Sequence, residues 1–308
     1  MRLLQLGNWR AWVIGLGAWQ LGATSWGWPR NGGQALADAI VGVSIARGVS
    51  KLLLGHALRG RRAHAIVATK VFPTHALRHQ VLRAADASRS RLGIDTIDLY
   101  QVHWPNPIVP VARTMAGMRR LVEAGRVARV GVSNFSLRRW QRAEAAFGST
   151  VISNQVPYHL LARGAERELL PFAQANDRAI IAYSPLAQGL LSRRYGAGTG
   201  PRGVRLANPL FTPDNMHRAA LVIDALRDVA RAHGATPAQI ALAWLVRHPN
   251  VVAIPGAKSE ARAAENAEAA DIVLGDAEFA HLDAVSDAFK PALRIRGAGQ
   301  LLRRLVGV

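Results

Sequence analysis

The chain contains no cysteine, which excludes a disulfide scaffold, cysteine-ligated zinc, an iron–sulfur cluster and thiol catalysis together. Lysine is nearly as scarce and occurs only at Lys51, Lys70, Lys258 and Lys290. Carboxylates are also few: 20 Asp and Glu stand against 39 Lys and Arg, for a net charge of +19 and a pI near 11.6. A basic excess of that size raises nucleic-acid binding. Here the arginines are spread along the chain, and local clusters such as Arg59, Arg61 and Arg62 have no aromatic-interleaved basic motif beside them. The charge therefore reads as a solvated surface, with no specific nucleic-acid partner expected. Long apolar runs are missing too. The stretch from Ala11 to Ala23 (AWVIGLGAWQLGA), preceded by Arg2 and Arg10, has the cast of a signal-peptide core but is too short to span a bilayer. Its glycine pattern suits a buried strand and loop better, so no membrane contact and a cytoplasmic location are expected.

What is present is a chain of 308 residues, half of them hydrophobic, without low-complexity tracts. That length suits one α/β barrel domain over 1–308, with a basic tail over 290–308 (KPALRIRGAGQLLRRLVGV) that Gly297 and Gly299 interrupt. Short apolar runs alternate with stretches of helical period, the pattern of βαβ units around a parallel sheet. Strands are expected at Val13 to Gly17, Ala65 to Val71, Ile97 to His103, Ala128 to Ser133, Val151 to Gln155, Ala179 to Tyr183 and Val251 to Ile254. Helices are expected near Gln34 to Arg47, Leu52 to Leu58, Leu77 to Leu92, Val111 to Ala124, Leu137 to Ala146, Ala165 to Ala175, Met216 to His233, Pro237 to His248 and Glu260 to Ala269. Gly93, Gly125 and Gly234 follow helices where a left-handed residue is wanted, and Thr236-Pro237 reads as an N-cap with proline at the first helical position. The alternation closes most naturally into a (β/α)8 barrel, with a doubly wound open sheet as the alternative. The Gly-, Pro- and Arg-rich stretch Ser192 to Asp214 is too long for a simple connector.

In a barrel, chemistry collects at the carboxyl ends of the strands. Lys70 in AIVATKVF and His103 in LYQVHWPNP sit at such ends after apolar runs. A lysine there calls for a carboxylate or a functional reason, whereas His103 taken alone also fits a satisfied core histidine. A third cluster, IPGAKSEARAAEN, runs from the last strand into a helix. Free N–H groups at that helix start, with Lys258, Ser259 and Arg262 around them, would cradle a phosphate; a capped helix with solvated charges is the plain alternative. His75 and His79 have i,i+4 spacing but no third ligand, so no metal site is expected. No Ser–His–Asp order, P-loop or GxGxxG signature appears.

The stretches IGLGAWQLG, ATKVFP, DTIDLYQVHWPNP, GRVARVGVSNFS, SNQVPYHLL, AYSPLAQGLL and IPGAKSEARAAEN, in this order from Gly15 to Phe289, resemble the aldo-keto reductase superfamily, in particular its bacterial and potassium-channel-β-like branches. The resemblance implies a TIM barrel that reduces a small aldehyde or ketone with NADP(H). It implies Lys70 and His103 as two members of the catalytic tetrad. It further implies that Ser133, Asn134 and Gln155 hold the nicotinamide carboxamide, that Tyr183 stacks under the ring, and that Ser184 and Leu186 meet the pyrophosphate side. Lys258, Ser259, Arg262 and Asn266 would grip the adenosine end, where two cations favour a 2′-phosphate, and Trp19 and Trp104 would wall the substrate pocket.

One departure from the family pattern stands out. The family's catalytic Asp and Tyr belong between the first helix and the segment KLLLGHALRGRR. Here Gly48 is followed by Val49, Ser50 and Lys51 and then at once by that segment, with no room for the ~5–6 residues of a strand. Asp38 falls inside the first helix, and the tyrosines, at 100, 158, 183 and 195, lie elsewhere. Strand two is thus expected to be deleted or irregular, and loss of a positioned proton donor would cost roughly 10²–10⁴ in rate. Retained cofactor binding with impaired turnover is the expectation; a non-catalytic NADP(H)-binding or partner-binding protein is the alternative.

Overall fold

Alternation of apolar residues begins earlier than the first expected strand. In the computed structural model, which describes residues 2–6, 9–17, 54–192, 195, 200–201 and 203–292, β1 (Leu3–Leu6) and β2 (Trp9–Trp12) form an antiparallel hairpin in which Leu3 faces Trp12 and Leu4 faces Ala11. Leu4 and Ala11 bury themselves against the main core. The expected strand at Val13 to Gly17 is realised as an extended segment with a single parallel bridge, Ile14 to Ala253. Gly15 N–H donates to the Ala253 carbonyl and Ala253 N–H to that of Val13, both at 2.9 Å. Gly17 is required at its position, because a Cβ there would lie 2.5 Å from the Ile254 carbonyl oxygen.

The main sheet is parallel and contains β3 (Ala68–Val71), β4 (Ile97–Val102), β5 (Val127–Ser133), β6 (Val151–Pro157), β7 (Ala179–Tyr183) and β8 (Val251–Ile254). They neighbour one another strictly in chain order, and the 13–17 segment lies beyond β8. A doubly wound sheet would reverse its order at a switch point; this one proceeds in a single direction, as a barrel does. The fold is a (β/α)8-type barrel. The expected helix Gln34 to Arg47, the Gly48 to Lys51 junction, Trp19 and the tail beyond 292 lie outside the described residues, and with them the expected loss of the second strand.

Between the strands run α1 (Arg78–Leu92), α2 (Val111–Glu123), α3 (Leu137–Phe147), α4 (Leu169–Ala175), α5 (Pro213–Arg218), α6 (Ala220–Ala232), α7 (Pro237–Arg247), α8 (Glu260–Glu268) and α9 (Asp276–Ala288). Gly93, Gly125 and Gly234 take φ of 62°, 67° and 59° at helix ends, and Thr236 caps α7 by accepting from Gln239 N–H at 3.3 Å. Three expectations need correction. The helix expected over Met216 to His233 is two helices meeting at Ala219. The chain breaks there because Thr212 caps a short first piece and the buried Asn215 amide is drawn to Pro209 and to Ala292. The helix expected from Ala165 starts at Leu169, since Glu166 is committed to Arg163 and to the Tyr158 hydroxyl. Helix α9 was not anticipated.

Inside the barrel the layer near the carboxyl ends of the strands is polar. Lys70 pairs in register with Gln101, and Gln101 with Gly131. A Cβ on Gly131 would lie 2.4 Å from Ser153 Oγ and 3.1 Å from Gln101 Cγ, so glycine makes room for two polar neighbours. The apolar core lies between sheet and helices, where Trp140, Trp244, Tyr100, Met115 and Met118 are fully buried.

Candidate active site

The carboxyl ends of β3 to β7 bring together most of the residues read from the sequence. Lys70, one residue before the end of β3, is 8% exposed. His103 follows β4 directly, and its N–H donates to the Val71 carbonyl at 3.0 Å, locking it beside β3. Burial, reinforced by the Lys70 ammonium, lowers the His103 imidazole to about 4. At neutral pH the ring is therefore uncharged, a hydrogen-bond donor and not a cation. Phe72 meets it edge-on at 5.7 Å and Trp104 tilts against it at 6.4 Å. Phe72 was not singled out in the sequence.

Asn134 is the hub of this end. It adopts a left-handed backbone, φ 62°, which asparagine tolerates better than most residues. Its N–H donates to the Gln155 carbonyl at 2.9 Å. Its Nδ2 donates to the His103 carbonyl and to Ser133 Oγ, each at 3.1 Å, and its Oδ1 accepts from the Tyr183 hydroxyl at 3.0 Å. Ser133 in turn donates to the Gln155 carbonyl at 2.8 Å, and Gln101 Nε2 to Gln155 Oε1 at 3.2 Å. Four successive strand ends are thereby tied through one residue, three by its side chain and β6 by its backbone N–H. Burial raises the Tyr183 phenol above its ordinary pKa, so it stays a neutral donor.

After β7 the backbone is unusual. Ser184, Ala187 and Gln188 all have positive φ. With Asn134 they make up four of the six non-glycine residues of this kind among the described residues, all at the carboxyl ends. Such strain gathers where a site over-determines the backbone. The Ser184 carbonyl accepts from Ala187 N–H and the Leu186 carbonyl from Gly189 N–H, both at 2.8 Å, so the turn is closed internally.

The second cluster forms at the start of α8. Ser259 caps the helix, its Oγ accepting from Arg262 N–H at 3.2 Å. Lys258 is half-buried and Asn266 buried. Arg262 is already engaged: its guanidinium meets Glu265 at 2.6 Å, and Glu265 also accepts from the Thr236 hydroxyl. The Arg262 side chain is 61% exposed, and a pair of that kind contributes only ~0.2–1 kcal/mol, so a phosphate can draw the guanidinium away. The loop before α8 is held against the 13–17 segment, where Gly17 N–H donates to the Pro255 carbonyl at 2.8 Å and Leu16 packs on Ala257.

All four tyrosines are placed. Tyr100 is fully buried, with Arg91 and Asp86 of α1 near enough to act on its phenol. Tyr158 donates to Glu166, Tyr183 to Asn134, and Tyr195 stands edge-on to Phe211 at 5.1 Å. Apart from Tyr183, none contributes a hydroxyl to the bonded group around His103 and Asn134.

Residues 13–287 match the aldo/keto reductase family. An uncharacterized oxidoreductase of Mycobacterium tuberculosis (strain H37Rv) is 42% identical over 306 aligned positions that take in 95% of this chain and 95% of the relative. A methylglyoxal reductase of Escherichia coli K12 is 36% identical over 239 positions, 77% of this chain and 75% of the relative. Among solved structures, an aldo/keto reductase from Klebsiella pneumoniae in complex with NADP and acetate superimposes with a TM-score of 0.71 at 33% identity, covering 95% of this chain and 96% of the other. The chain belongs to the aldo/keto reductase family, a family of oxidoreductases, and the bonded network of Asn134 marks the candidate site at the carboxyl end of its barrel.

Proposed function

We propose that this chain binds NADP(H) across the carboxyl ends of its strands and reduces small aldehydes or ketones, with turnover limited by the lack of a positioned tyrosine. The observation that carries this reading is the convergence of Lys70, a neutral His103 and the Asn134 network on one barrel end. The residues fit the cofactor. Gln155 Nε2 keeps both of its hydrogens for a carboxamide oxygen, Ser133 Oγ keeps acceptor capacity, and Tyr183 offers a ring face. At the other end Lys258, the Ser259-capped start of α8 and Arg262 suit a 2′-phosphate. The Klebsiella relative is a precedent for NADP on this fold.

Bound NADPH supplies the hydride that reduces the carbonyl carbon. The residues of this chain act on the oxygen. Neutral His103 donates a hydrogen bond to it, and the Lys70 ammonium, close enough to depress the imidazole, stabilises the negative charge that develops. Both effects act in a partly buried site, where they count for more than in water. The proton itself then comes from water, since Tyr183 is held by Asn134 and the other hydroxyls face elsewhere.

Quenching of the tryptophans on titration with NADPH and with NADH tests the cofactor assignment. NADPH is expected to bind at least about tenfold more tightly, the worth of ~1.4 kcal/mol from the phosphate contacts. Equal affinities, or no binding of either, would overturn it. Methylglyoxal is the first carbonyl to assay, on the precedent of the Escherichia coli relative. NADPH binding without any turnover would favour a non-catalytic cofactor-binding role for the same site.

A further inference from the structure

The loops after β3 and β4 line a cavity of about 300 Å³ whose lining holds none of Lys70, His103, Asn134 or the cofactor residues and shares only Trp104 with the expected substrate pocket. It lies beside His103 and not over it. Its inner wall includes Phe72 and Trp104, whose other sides flank the imidazole. Its floor is the buried Phe135, and its lip carries Ile108, Arg139 and Arg142. Two properties of this lining call for a ligand.

The first is apolar exposure. Phe72, Trp104 and Ile108 are 50%, 46% and 87% exposed, and they are three of the seven large hydrophobic side chains exposed among the described residues. Scattered exposed hydrophobics need no explanation, but a cluster around a cavity does. The second is charge. Arg139 and Arg142 are three apart on α3 and so share one face of that helix. Neither has an ion-pair partner among the described residues, and no carboxylate lines the cavity. Unpaired arginines are common in a chain with 39 Lys and Arg against 20 Asp and Glu; what sets this pair apart is its place beside a cavity that also exposes Phe72, Trp104 and Ile108.

The walls are also fixed in advance. Asn106 donates from Nδ2 to the Pro73 carbonyl at 2.9 Å, and its Oδ1 accepts from Ile108 N–H at 2.8 Å and from Val109 N–H at 2.7 Å. Thr114 donates to the Ala76 carbonyl at 2.7 Å. Pro105, Pro107 and Pro110 stiffen the same loop. A preformed pocket loses little freedom when it is filled.

We propose that this lateral cavity is a binding site for a small amphiphilic carboxylate, its aryl or alkyl body against Trp104, Ile108 and Phe135 and its anionic head on Arg139 and Arg142. The site goes beyond cofactor binding and carbonyl reduction and does not depend on them. Because Trp104 is shared with the catalytic end, occupancy changes its fluorescence.

The test uses 2-naphthoate as the probe and the whole chain without added nucleotide. Calorimetric titration is expected to show one site. The double variant Arg139→Gln/Arg142→Gln is expected to weaken it by about tenfold or more, the loss of two charge-assisted contacts. The neutral 2-naphthamide is expected to bind more weakly and to ignore those substitutions. Since the chain is strongly basic, Arg227→Gln/Arg231→Gln on α6 removes the same charge far from the cavity and should leave naphthoate affinity unchanged. Equal affinity in the Arg139/Arg142 variant, an equal loss in the α6 control, or competition by NADPH at this site would each overturn the proposal. NADPH binding is read separately in every variant, so failure of the cofactor assignment and failure of this one give different results.

Discussion

Replacing Asn134 tests the hub that ties four strand ends together. Its side chain makes three hydrogen bonds, to the His103 carbonyl, to Ser133 Oγ and from the Tyr183 hydroxyl. At about 1 kcal/mol net for each, Asn134→Gly should cost about 3 kcal/mol. Asn134→Ala loses the same bonds and must also hold φ at 62°. An L-residue other than Asn, Asp or Gly pays ~1–2 kcal/mol in that region, from which the ~0.5–1 kcal/mol of extra chain entropy that glycine loses on folding must be subtracted. Alanine should thus be worse than glycine by about 0.5–1 kcal/mol. Urea unfolding at pH 7.5, followed by tryptophan fluorescence with m-values compared, measures both. Both variants should also weaken NADPH, since Ser133 and Tyr183 lose their tether. A pair of variants equal to each other and within ~0.5 kcal/mol of the parent would refute the reasoning, that margin being the size of an ordinary surface substitution.

Stability should depend on pH in a defined window. Burial lowers both His103 and His159 to about 4, and an unfolded histidine titrates near ~6.5. Between those values the unfolded chain binds more protons, so stability is full above about pH 6.5 and falls as the pH drops toward 4. His103→Gln and His159→Gln should each flatten that fall, and a pH profile unchanged in both would count against burial as the cause. Gly131→Ala places a Cβ 2.4 Å from Ser153 Oγ, and overpacking of that kind costs ~1–3 kcal/mol. Ser153 Oγ is buried without a partner, so Ser153→Ala alone should be neutral or slightly stabilising and should rescue Gly131→Ala. A double variant no better than the single one would show that the clash lies elsewhere.

Much of this was legible along the chain because barrel strands announce themselves locally. Lys70 and His103 stood out as polar ends of apolar runs, and Gly93, Gly125, Gly234 and Thr236 marked helix ends through chemistry confined to a few residues. What was missed depends on distant partners or weak local patterns. The β1–β2 hairpin carries a two-residue Gly7-Asn8 signal, but the apolar run after it drew the strand assignment downstream. Helix α9 buries only Leu282 and Ser286 within its span and so shows little periodicity. The break at Ala219 is set by Asn215 reaching Ala292, and the late start of α4 by Arg163, which reaches across to Asp283 and Asp287 in α9. The pairing of Arg262 with Glu265, the role of Asn134 as a hub and the cavity beside Trp104 are likewise products of the fold.

The central claim is that the barrel retains its cofactor-binding end and lacks a proton donor. Its most direct test is the rate of NADPH oxidation by an aldehyde at saturating NADPH, measured in this chain as it stands and after a strand-length segment carrying an Asp and a Tyr is inserted between Gly48 and Lys51. The account predicts a gain of roughly 10²–10⁴ in the inserted chain, abolished when the introduced tyrosine is replaced by phenylalanine. A folded insertion variant with no gain over the native chain, or a gain that survives the phenylalanine replacement, would contradict it.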